Sequence, residues 1–235
     1  MRIALLLLCL FSAQAGEAAR PLKIVCFGDS ITGGRPGTVY LHQYLKWSDL
    51  LQLAIEVRGG AAQAINSGWA GDSTHGKPSG DPPGAVKRLQ KDVLDHKPDI
   101  CVVLIGGNNF AVLKKEPERR AEVEAAYRAD LDGMVAAMQA TGIKVLLLQY
   151  HAPKAADPAT EWSTLDDGNA VIAAVGEAHK APVLALEPAF AAARAAGASA
   201  ESLLNQKDGV HLNPYGEVVV ARTVVARLRE LGWTP

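Results

Sequence analysis

The sequence predicts an α/β sandwich built on a parallel β-sheet, and three observations carry that expectation. Five short apolar runs recur along the chain, helical apolar periodicity fills the stretches between them, and the runs are almost continuously apolar. Strands that alternate apolar with polar residues suit a sheet wet on one face; continuous runs suit parallel strands covered on both.

The runs are Leu22–Phe27, Ala61–Ile65, Ile100–Ile105, Ile143–Leu148 and Val183–Leu186, each bounded by Gly, Pro or Asp. Between them Trp47, Leu50, Leu51, Ala54 and Ile55 fall at helical spacing, as do Val86, Leu89 and Val93. Residues Glu118–Gln139, rich in alanine and charge, form a longer helical segment. A last helix presents Ala221, Val224, Val225, Leu228 and Leu231 on one face, with Asn213 as N-cap and Pro214 at the first helical position. Three segments fit no packing pattern and read as loops: Thr32–Thr38, Ser67–Gly84 and Tyr150–Thr164. All three follow strands, which puts them at the carboxyl edge where open α/β sheets hold their ligands.

Length and composition narrow the function. A chain of 235 residues with 49% hydrophobic and 21% charged residues fills one core. A net charge of -1 gives no attraction for nucleic-acid phosphates or anionic lipid surfaces. Met1 and Arg2, the apolar run Ile3–Phe11 and Ser12-Ala13-Gln14-Ala15 form an export signal, cut after Ala15 or as late as Ala19. The run is about half the length a permanent membrane span needs, so the expected product is a single exported domain over residues 20–235. Cys9 follows leucines, not the small residues that precede a lipid attachment site. Cys26 and Cys101 sit inside apolar runs and read as free core thiols.

Gly28-Asp29-Ser30 directly follows the first strand, so a rigid element holds Ser30 at the crevice, where it suits a nucleophile or simply caps a turn. After the second strand comes Asn66–Thr74, and after the third Gly106-Gly107-Asn108-Asn109. The N–H of Gly71, the side-chain amide of Asn108 and the N–H of Ser30 would serve an oxygen that becomes negative during acyl transfer. Taken singly, Gly71 is equally a turn glycine and Asn108 a local turn residue. Near the C-terminus Asp208-Gly209-Val210-His211 fixes a carboxylate and an imidazole on one loop, so that Asp208 would hold His211 in the tautomer that accepts a proton from Ser30. Asp29, Trp69, His75 and His151 stand around the same crevice and are expected to touch substrate.

These four blocks, in this order and at strand ends, resemble those of the SGNH (GDSL-type) hydrolases across almost the whole mature chain. The resemblance implies a flavodoxin-like three-layer sandwich with strand order 2-1-3-4-5. It also implies a triad of Ser30, His211 and Asp208, with an oxyanion hole from Ser30, Gly71 and Asn108. Two departures stand out: Asn109 occupies a place where many members carry Asp, and Gly-Asp-Ser recurs at Gly71-Asp72-Ser73. Ser73 lies several residues past its strand, so Ser30 is the favoured nucleophile.

No Gly-x-Ser-x-Gly elbow occurs, which argues against the α/β-hydrolase fold as the carrier of this chemistry. No Cys-x-x-Cys, His-Glu-x-x-His or phosphate-cradling glycine loop occurs either, so neither a metal nor a nucleotide cofactor is expected. The crevice loops are rich in Gly, Pro and charge with isolated aromatics such as Trp69 and Trp162, which suits a polar ester, an O-acetyl group on a carbohydrate above all. A lysophospholipase or thioesterase is the alternative within the chemistry, and a glycan-binding protein without catalysis the alternative outside it.

Overall fold

The computed structural model describes residues 20–33, 45–152 and 164–235. The expected export signal, Trp162 and parts of the first and third crevice loops lie outside the described residues. Five parallel strands, β1 (Leu22–Gly28), β2 (Ala62–Gly68), β3 (Ile100–Leu104), β4 (Lys144–Gln149) and β5 (Val183–Ala185), pair in the order β2-β1-β3-β4-β5. Every residue of β3 is buried, whereas β2 and β5 form the half-covered edges.

The helices divide between the two faces. α2 (Trp47–Glu56) packs on α8 (Pro214–Glu230), with α6 (Glu187–Ala195) and α7 (Ala200–Leu203) alongside. On the other face α4 (Arg120–Ala140) packs on α5 (Asn169–His179) and touches α3 (Ala85–Asp92). The faces are joined through residues such as Trp47, Phe27, Leu104, Leu146 and Met138, all fully buried. Burying each side chain of that kind contributes roughly 1.5–3 kcal/mol before its entropy cost.

Register settles the two core cysteines. Cys26 pairs with Val102 and Cys101 with Val25, so neighbours in sequence on paired strands put the two thiols on opposite faces of the sheet. Both are free, and burial pushes both thiols up, away from thiolate chemistry.

Three details differ from the expectation. β2 runs on through Asn66, Ser67 and Gly68, because those residues pair with Cys26, Phe27 and Gly28. In α3 Val86 is exposed and Arg88 buried, the reverse of the apolar stripe, because buried acceptors await the guanidinium there. Asn213 does precede α8, yet its side chain makes no cap and donates instead to the carbonyls of Glu201 and Leu204.

A close backbone approach seats the first turn after β1. α1 (Ser30–Gly33) lies so near the end of β2 that a Cβ on Gly68 would stand 2.0 Å from the Gly33 nitrogen, and one on Gly33 2.4 Å from the Gly68 carbonyl oxygen. Only paired glycines allow this approach.

Candidate active site

The chain leaves β1 toward β2 on one side and reaches β3 on the other, so the strand order reverses at β1, the place where open α/β sheets bind ligands. Ser30 stands there, 5% exposed, the second residue beyond the strand. Its Oγ lies 2.8 Å from His211 Nε2, and His211 Nδ1 lies 2.9 Å from Asp208 Oδ2. Asp208 Oδ1 also accepts the N–H groups of Val210 (2.9 Å) and His211 (3.0 Å). Burial pushes the Asp208 carboxyl up, but the imidazole and the two N–H groups outweigh it and bring it to about 2. An ionised carboxylate only accepts hydrogen bonds, so Nδ1 carries the proton and Nε2 is free to take one from the Ser30 hydroxyl.

The loop holding this pair is tied at its base. Leu204 and Leu212 form an antiparallel bridge, Asn205 N–H donates to the His211 carbonyl at 2.8 Å, and Gly209 N–H donates to the Asn205 carbonyl at 2.7 Å.

Gly71 and Asn108 line the same cleft as Ser30 and His211, a cavity of about 980 Å³. Gly71 sits at the third position of a turn closed from Asp72 N–H to the Trp69 carbonyl, with φ +74°. A Cβ there would meet no atom, so the left-handed backbone, not space, calls for glycine. No hydrogen bond among the described residues engages the N–H of Gly71 or of Ser30. Asn108 Nδ2 donates one hydrogen to the Asp72 carbonyl at 2.7 Å, which fixes the amide and leaves its second hydrogen for a ligand.

Two expected substrate contacts lie elsewhere. Asp29 is 1% exposed beneath the cleft, its carboxylate accepting the Ile31 N–H and the Tyr150 hydroxyl. Burial raises that carboxyl to about 6 against the pull of both donors. His151 is fully buried, stacked on Phe190 at 4.7 Å, with Nε2 2.9 Å from the Val210 carbonyl. Burial lowers its pKa to about 4, so it is a neutral core histidine supporting the Asp208–His211 loop. His75 does line the cleft, while Trp69 is exposed beside the lining residue Ala70. Ser73 also lines the cleft, but its Oγ accepts the Gly76 N–H and no imidazole touches it among the described residues.

Arg88 supports the site from beneath, and the sequence did not single it out. The 5%-exposed guanidinium donates to Asp72 Oδ2 (2.6 Å), to the Gly28 carbonyl (2.7 Å) and to the Ser67 carbonyl (2.7 Å), and covers the Phe27 ring at 4.2 Å. It thereby holds the residue two before Ser30 and the residue after Gly71, whose own carbonyl fixes Asn108. Its signal in the sequence was slight: an arginine three residues after Ala85, on the buried face of a helix otherwise full of exposed charge.

A parallel sheet with a serine, an imidazole and a carboxylate in one hydrogen-bonded line at its switch point defines a class, the ester hydrolases of flavodoxin-like architecture. Residues 26–218 match the GDSL-like Lipase/Acylhydrolase family, and the chain belongs to that family, whose members act on carboxylic esters. A lipase/acylhydrolase from Enterococcus faecalis superimposes with a TM-score of 0.66 at 26% identity, covering 89% of this chain and 96% of that one. An acetyl-xylooligosaccharide esterase from Geobacillus stearothermophilus shares the fold at 21% identity and a TM-score of 0.67, over 91% and 96% of the two chains. So does LAE5, a hydrolase from the metagenome of Lake Arreo, at 24% identity and a TM-score of 0.68, over 87% and 94%. An uncharacterized lipoprotein of Bacillus subtilis (strain 168), YqeF, is 27% identical over 144 residues, 61% of this chain and 54% of the relative. The match thus spans about half the length of that relative. Among the described residues no helix is long and apolar enough to cross a membrane.

Proposed function

We propose that the protein is an exported serine esterase that removes short acyl groups, O-acetyl above all, from a carbohydrate. The observation carrying this reading is the contiguous line from Ser30 Oγ through His211 to Asp208, with Gly71 and Asn108 on the same cleft. Ser30 Oγ attacks the ester carbonyl carbon and gives its proton to His211 Nε2. The oxygen that becomes negative is met by the N–H groups of Ser30 and Gly71 and the remaining amide hydrogen of Asn108. Collapse expels the alcohol, which takes the proton from His211, and leaves the acyl group on Ser30. Water, deprotonated by His211, then attacks the acyl-enzyme, releasing the carboxylic acid and restoring the hydroxyl.

Catalytic mutants of the Geobacillus acetylxylan esterase replace a serine, an aspartate and a histidine three residues beyond the aspartate, the spacing of Asp208 and His211 here. That parallel supports the roles given to these residues. Export rests on the N-terminal signal, and the carbohydrate on the polar, aromatic-dotted crevice loops.

Hydrolysis of p-nitrophenyl acetate, butyrate and octanoate by the mature protein and by Ser30→Ala tests the reading. Turnover should fall on the order of a million-fold in the variant, with acetate the preferred ester. A variant that keeps its rate moves the nucleophile to Ser73; a preference for octanoate moves the protein to the lipid hydrolases.

A further inference from the structure

The cleft extends well past the reacting groups. An acetyl group fills little of 980 Å³, a volume at the upper end for sites that hold drug-sized ligands. Its far wall is α4 with the loop after β2, where Ala126, Ala129 and Asp130 face His75 and Lys77. Asp130 is not a free surface carboxylate. Asn109 Nδ2 donates to Thr74 Oγ1 at 2.8 Å, Asn109 Oδ1 accepts the Thr74 N–H at 3.0 Å, and the Thr74 hydroxyl donates to Asp130 Oδ2 at 2.6 Å. Thr74 is fully buried, so this chain of donors runs from the third motif block through the interior and ends on a carboxylate at the cleft. His75 Nδ1 stands 3.8 Å from the same oxygen and 3.4 Å from Asn109 Nδ2. An acceptor held this way on a helix is preorganised for hydroxyl donors.

Charge on the wall says what carries those hydroxyls. Lys77 and Arg119 balance Glu122 and Asp130, and Arg119 is already engaged by Glu116 and Glu122. Among the described residues the wall is thus balanced in charge and offers no pull to the phosphates of a lysophospholipid or a nucleotide thioester. Resting on the esterase reading above, we propose that Asp130 and His75 form a subsite for the hydroxyls of the leaving alcohol, and that this alcohol is an uncharged saccharide.

The test compares acetylated methyl β-xyloside with p-nitrophenyl acetate, whose leaving group has no hydroxyl to offer the subsite. In Asp130→Ala and Asp130→Asn, the ratio of kcat/KM for the sugar ester to that for the aryl ester should fall about 10- to 100-fold. Asp130→Asn can still accept the Thr74 hydroxyl, so it keeps the internal chain while removing the charge. His75→Ala should lower the same ratio by several-fold. An unchanged ratio in all three variants overturns the subsite. Wild type that cleaves the aryl ester but not the sugar ester overturns it too, and leaves the esterase reading standing. If wild type cleaves neither, the esterase reading fails. Saturation-transfer NMR of the full chain with methyl β-xyloside then decides: a sugar signal that wild type gives and Asp130→Ala does not supports the subsite, and a wild type that gives none overturns it.

Discussion

The two walls of the cleft are built differently. On the sheet side Ser30, Asp72 and His211 are all under 9% exposed, and each polar group is tied to a strand end or a closed loop. On the helix side Ala126, Ala129 and His75 are exposed and the charged residues balance one another. Bond making needs groups held within about half an ångström, which only packed surroundings supply. Recognising an alcohol needs matching polarity and room, which a helix face supplies without disturbing the sheet. On the proposed reading chemistry and selectivity occupy separate elements, and substitutions should separate them.

The difference between the walls is sharpest at the triad. His211→Ala should cost on the order of a million-fold in kcat on every ester, and Asp208→Asn on the order of ten-thousand-fold, with KM nearly unchanged. Steady-state rates on the acetate and sugar esters check this; a loss confined to one substrate would break the division between the walls.

Arg88 comes next. Arg88→Met leaves the Asp72 carboxylate buried and unpaired, which should lower stability by about 3–5 kcal/mol in urea unfolding. The rate on both esters should fall together, and Arg88→Lys should restore little, since an ammonium cannot span three acceptors in a fixed fork. Unfolding within about 1 kcal/mol of wild type would remove the arginine from the sheet wall's support.

Asp29 gives the sheet wall a pH signature. Its folded-state pKa is raised to about 6 from an ordinary 3.8, so the stability it contributes is present below pH 4 and lost as pH rises through 6. The loss amounts to roughly 3 kcal/mol. Asp208 runs the other way: its contribution is present above pH 4 and disappears only as pH falls through about 2. Urea unfolding at pH 4.5 and 7.5 should therefore show a decline in wild type that Asp29→Asn flattens, and equal slopes in the two proteins would contradict it.

The smallest effect belongs to the helix wall. Ala129→Leu should change stability by less than about 0.5 kcal/mol while shifting preference among esters of different alcohols several-fold. Rates on methyl and larger esters measure the shift, and an unchanged preference would show that this face does not meet the alcohol.

How far the sequence could be read follows the same division. The strands were legible because continuous apolar runs have one use in a chain of this composition, and the motif blocks because they stand at strand ends. Arg88 was not legible, since Lys87-Arg88 in a charged helix looks like a solvated face until Asp72 is known to lie beneath it. Asp130 was hidden for a related reason, being joined to Thr74 across 56 residues. Asp29 and His151 carry polar groups beside the crevice, and only Tyr150 above one and Phe190 against the other turn them inward.

The meeting of Gly33 and Gly68 bears on temperature. Main chain rests there on main chain, so no rotatable side chain separates β2 from the turn that carries Ser30. Side chains on α4 gain rotameric freedom as the protein warms, and the shape they offer an alcohol blurs with it. The seat of the serine has no rotamers to gain, so heating should loosen what the enzyme selects well before it alters how the enzyme attacks.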